Sequence, residues 1–81
     1  MGKINIMKFT LNKAKRGQQL LVQQLPEGDY KLQLIRFGIL EGETITCLDK
    51  IFGGTIIIQK NRLEIALGND LARQIIVSSL N

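Results

Sequence analysis

The chain has 81 residues, a formal net charge of +4 and 44% hydrophobic residues, with no His, no Trp and one Cys. That length supports one domain at most, and such a domain buries only about 60–65% of the surface its unfolded chain exposes, so a deep catalytic cleft is hard to build. Without imidazole the usual general base and metal ligand near neutral pH are missing, and a single thiol makes neither an intramolecular disulfide nor a multi-cysteine metal site.

The basic excess suits an ordinary soluble surface, and also weak contact with nucleic acid, an anionic membrane or an acidic protein. No apolar run approaches the roughly 18 residues of a membrane-spanning helix. Met1 to Leu11 has no apolar core of signal-peptide length, and Ile6 stands where an N-myristoylation signal needs Ser or Thr.

In chain order, residues 1–10 read as an arm or short strand in which Ile4, Ile6 and Lys8 alternate. Gly17 closes a polar turn. Gln19 to Leu25, "QLLVQQL", reads as a strand with Leu20 and Val22 on one face and Leu21 and Leu25 on the other. Pro26 and Gly28 turn the chain, and Asp29 is placed to cap a helix. From Tyr30 to Phe37 the residues Tyr30, Leu34 and Phe37 fall at helical spacing, and Leu32 and Ile35 widen the stripe. Phe37 is expected to be buried, and Gly38 to close the helix in the left-handed conformation.

Glu43 to Ile51 reads as a strand whose pattern shifts after Cys47, the mark of a bulge. "FGG" turns the chain, and "TIIIQK" and "RLEIAL" form a hairpin about Lys60-Asn61. "GNDLARQ" is one helical turn with Asn69 as its cap and Asp70 at its positive end. Ile75 to Val77 is the last strand. Short strands on tight connections favour a small closed or nearly closed barrel, which removes exposed edges. The fold class is therefore mainly β: about five strands, one short helix after the first, and a helical turn before the last.

The order of "LIRFGILEGETI", "GGTIII" and "RLEIALGNDLARQIIV" resembles the FeoA family of small proteins of bacterial ferrous iron transport. That family's central pattern, RLxxLGLxPGxxV, is met by Leu34, Phe37, Gly38, Ile39, Gly42 and Ile45; Ala72, Ile75 and Val77 keep step later. The chain departs at Gln33, Glu41, Gly54, Thr55 and Gly68. The resemblance runs from about Leu11 to Val77 and implies an SH3-like domain over residues 11–78, with 79–81 a tail. It implies a cytoplasmic, non-enzymatic accessory protein that binds and modulates the FeoB-type ferrous iron transporter through the transporter's cytoplasmic G domain. The same domain occurs at the C-terminus of iron-dependent repressors, so a regulatory or nucleic-acid-associated barrel is the alternative.

The chemistry-bearing residues fit a binding module better than an enzyme. Glu41 and Glu43 could share a hard cation, but a stable oxygen site in most cases needs about six ligands or more, so no metal or other cofactor is expected. Cys47 reads as a small buried strand residue with no base beside it. "GILEG" lacks the Lys-Ser/Thr ending of a nucleotide loop and precedes a strand. The aromatics are too scattered for a base-stacking platform, so nucleic acid is not the expected partner. Lys31, Arg36, Leu40 and Glu41 are the candidate partner-binding residues, and Leu40 could also support weak self-association.

Overall fold

The computed structural model describes residues 7–80, so Ile4 and Ile6 lie outside the described residues. The elements are β1 (Lys8–Thr10), a 3-10 turn (Leu11–Lys13), β2 (Gln19–Gln24), α1 (Asp29–Arg36), β3 (Thr44–Ile51), β4 (Thr55–Lys60), β5 (Leu63–Leu67), α2 (Asn69–Ala72) and β6 (Ile76–Ser79). The strands form one antiparallel sheet in the order β1-β6-β2-β3-β4-β5. The fold is mainly β and SH3-like, as the sequence implies, with six strands among the described residues rather than about five, and with β1 and β5 at the edges of the hydrogen-bonded order.

Two local expectations hold. β3 slips register between Cys47 and Asp49, where its pattern shifts. Asn61 has φ 57° and lets Lys60 pair with Leu63, closing the β4–β5 hairpin.

Others are corrected. Leu25 was expected opposite Leu20 and Val22, yet all three are buried. The β2–β6 ladder shifts between Val22 and Gln24, and that extra residue returns Leu25 to the core side. Asp29 and Asn69 are the first residues of their helices, not the caps; Gly28 and Gly68 occupy the cap positions, with no side-chain bond to the helix N–H groups. β6 continues through Ser78 and Ser79 because Ser78 is paired with both β1 and β2, and Ser79 with β2. Buried Ser78 is satisfied when Gln23 Nε2 donates to its Oγ at 2.9 Å.

The core is aliphatic. Leu20 and Val22 of β2, Ile45 and Cys47 of β3, Ile56 and Ile58 of β4 and Val77 of β6 meet Leu11, Ile39 and Ile75 from the connections. Each such side chain stabilises the fold by about 1.5–3 kcal/mol, which suits an Ile-rich chain with few aromatics.

Candidate docking surface

α1 sits over this core on a single anchor. Leu34 is its only buried residue. Phe37, expected to be buried, is 47% exposed, and Tyr30, one turn before Leu34, is 43% exposed. The stripe keeps its helical spacing, but the small domain offers too little surface to cover the stripe's width. At 100° per residue Leu32 points nearly away from Leu34, and it is 60% exposed, with Ile35 exposed nearby. The result is an apolar helix surface that the domain leaves uncovered.

The helix end is rigidly built. Gly38, with φ 82°, donates to the Ile35 carbonyl at 2.9 Å, and Ile39 donates to the Leu34 carbonyl at 2.9 Å. This is the paired-bond closure that needs a left-handed residue after the helix, and it brings buried Ile39 onto buried Leu34. The corner is then tied to β2: Gly42 donates to the Val22 carbonyl at 2.8 Å, and Val22 donates to the Glu43 carbonyl at 2.9 Å. Leu40 therefore stands, partly exposed, on a fixed corner beside α1.

The four candidate residues lie along this helix and corner, in different states. Lys31 is half-buried and pairs at 3.6 Å with Glu27, four residues earlier in the turn before α1. Arg36 is exposed in the last turn, where a cation complements the helix C-terminus. Glu41 Oε2 accepts the Leu25 N–H at 3.1 Å, so this carboxylate stitches the corner to the end of β2. The apolar neighbours Tyr30, Leu32, Ile35 and Phe37 were assigned to a core-facing stripe. The signal that could have revealed them is the stripe's width: these residues span more of the helix than one sheet face covers.

Other candidate chemistry disperses. Glu43 turns from Glu41 to Lys60, with Nζ to Oε2 at 3.1 Å. Among the described residues, no cluster of three or more His, Cys, Asp or Glu side chains is placed to hold a metal ion. Burial pushes the Cys47 thiol above its ordinary value of 9.0, partly offset by the field of Lys50. At neutral pH it is a protonated core group, not a thiolate nucleophile.

The molecule is thus a small SH3-like domain that holds an exposed apolar helix on a fixed corner. The family model of the FeoA domain matches residues 9–79, nearly the whole chain, and the chain belongs to that family. Among solved structures, a crystal structure of an iron uptake regulatory protein (FeoA) is 27% identical with TM-score 0.81, covering 91% of this chain and 99% of the other. The solution structure of the FeoA protein from Chlorobium tepidum superimposes with TM-score 0.82 at 21% identity, over 90% of this chain and 71% of the other, and speaks for the fold alone. ScaR with bound Cd2+ is 28% identical with TM-score 0.78; the match covers 86% of this chain and only 35% of ScaR. Among curated proteins nothing matches the chain.

Proposed function

We propose that this protein is a non-enzymatic accessory protein of ferrous iron uptake, cytoplasmic and held at the inner membrane by docking on the G domain of the ferrous iron transporter. α1 and the Leu40 corner form the docking face. The observation that carries this reading is the exposure of Leu32 and Ile35, about 60° apart around a helix whose end is locked by backbone bonds. An apolar helix face set in one orientation is the kind of surface a partner groove accepts, with large apolar side chains as anchors. Membership of the FeoA family supplies the iron-transport context. Docking there would bias the partner's assembly or nucleotide cycle, and nothing in it requires this chain to carry out chemistry.

The test is capture of the detergent-solubilised transporter by the purified protein. Leu32→Glu with Ile35→Glu places two charges in the face without entering the core, and capture falls at least tenfold, since one anchor contributes roughly 1–2 kcal/mol or more. Ferrous uptake in cells falls with it. Undiminished capture by the doubly charged variant, with its thermal unfolding unchanged, would falsify the docking face.

A second reading is favoured by the likeness to ScaR, a manganese-activated repressor. A regulatory, nucleic-acid-associated domain would shift a DNA probe in a salt-dependent way, because phosphate contacts release counterions.

A further inference from the structure

At the far end of β3 from the α1 corner lies a second surface of different chemistry. The β3–β4 turn carries Ile51, 49% exposed, and Phe52, 103% exposed. Gly53 and Gly54 follow with φ 98° and 93°. Phe52 touches nothing that shields it, so the tip is a convex apolar knob rather than the wall of a groove.

Cations lie on the segments joined to the half of β3 that leads to this knob. The loop carrying Lys13, Lys15 and Arg16 is brought onto β3 by backbone bonds: Gly17 donates to the Cys47 carbonyl at 2.7 Å, and Cys47 donates to the Gln18 carbonyl at 2.9 Å. Arg16 Nε and Nη2 both donate to Asp49 Oδ1, at 3.1 and 2.8 Å. Lys50, exposed, adjoins the tip itself, and Lys13 and Lys15 are exposed as well. Asp49 is already engaged by Arg16. On α2, which packs against the turn through Asn69, Arg73 and Asp70 pair with each other at 3.3 Å. Among the described residues, Lys13, Lys15 and Lys50 make no ion pair with a carboxylate.

We infer that the Ile51-Phe52 tip and the basic loop joined to β3 form a peripheral membrane contact, in which Phe52 enters the headgroup region of an anionic bilayer while Lys13, Lys15 and Lys50 meet its phosphates. An aromatic residue favours the interface between headgroups and acyl chains. Basic residues near an anionic leaflet each add attraction that decays within a Debye length. A protein partner would need a socket for Phe52; a bilayer supplies an apolar layer and a diffuse negative surface together. The site is independent of α1, from which the length of β3, up to about 25 Å for eight extended residues, separates it.

The experiment is flotation of the purified full chain with vesicles of phosphatidylglycerol and phosphatidylcholine, against vesicles of phosphatidylcholine alone, without any transporter. Because the chain has no Trp, Phe52→Trp adds a unique fluorophore. The protein floats with anionic vesicles only, release follows added salt, and the Trp emission shifts to the blue on binding. Phe52→Ala weakens partitioning about tenfold and the Lys13→Ala, Lys15→Ala pair about 30-fold, both with unfolding midpoints unchanged. Flotation that is absent, equal on neutral vesicles, or indifferent to Phe52→Ala overturns the inference. Tighter binding to a DNA oligonucleotide, also indifferent to Phe52→Ala, overturns it in favour of a nucleic-acid surface. Loss of transporter capture by α1 variants has no bearing on these outcomes, so the two proposals fail separately.

Discussion

Gly54 is where the β3–β4 turn meets α2, and substituting it separates two physical costs. A Cβ at Gly54 would lie 2.8 Å from Asn69 Cβ and 2.9 Å from Asn69 Cγ, too close for either atom to stay in place. Gly53, one residue earlier, has a similar φ of 98°, but a Cβ there meets nothing within 4 Å. Gly53→Ala therefore carries the backbone penalty alone, about 1–2 kcal/mol for an L-residue in left-handed space. Gly54→Ala adds an overpacking term of about 1–3 kcal/mol, because both chains must shift. Asn69→Gly removes the opposing Cβ at a cost below about 1 kcal/mol in a short helix. The double variant Gly54→Ala, Asn69→Gly should accordingly be less destabilised than the sum of its parts by at least about 1 kcal/mol, the coupling expected of residues in contact. Urea midpoints for the four proteins, read at constant slope, give each value. If Gly54→Ala costs no more than Gly53→Ala, or the double variant is simply additive, then the close approach of turn and helix does not set the orientation of the tip.

Two further perturbations probe the frame of each surface. Leu34→Ala removes the single core anchor of α1 and should destabilise the fold by about 2–5 kcal/mol in urea unfolding, the range of buried Leu truncations. Leu32→Ala, on the exposed face of the same helix, should stay within about 0.5 kcal/mol, and equal costs would refute the described orientation of α1. Asp49 is held below its ordinary carboxylate value of 3.8, first by the Lys50 N–H and then by Arg16. A depressed folded-state pKa gives stability that is present above the unfolded value and lost as pH falls through the folded one. Asp49→Asn should therefore flatten the acid limb of the stability curve below pH 3.8, and an unchanged limb in urea midpoints across that range would refute the assignment.

The features legible in the sequence are those fixed by a single residue's local chemistry. Gly38 announces a helix closure because only a residue tolerant of positive φ makes its two bonds. Asn61 does the same for the β4–β5 hairpin, and the interrupted alternation after Cys47 announces the β3 bulge. Features decided by neighbours remote in sequence were not legible. The β2 bulge hides between Val22 and Gln24, where polar glutamines give no apolar parity to break. Ser78 and Ser79 carry no strand signal, yet pairing with β2, and for Ser78 with β1 as well, makes them part of β6. The candidate site was half legible. Lys31, Arg36, Leu40 and Glu41 mark the helix and corner, but the apolar residues between them were assigned inward, because spacing tells which residues share a face and not how much of that face the sheet covers.

Exposed apolar side chains alone define no site, since more than half of any folded surface is apolar. The two surfaces are set apart by what holds them. α1 presents Leu32 and Ile35 on a helix fixed by the Gly38 closure and one core residue, so partner contact can add the packing that the small core withholds. The β3–β4 tip presents Phe52 on a turn fixed by Ile51, Gly54 and Asn69 and preceded on β3 by Lys50. Because β3 carries one surface at each end, docking through α1 leaves the basic tip free. A membrane-bound partner for α1 and a bilayer contact for Phe52 would then act together, each raising the local concentration for the other without any new contact between them.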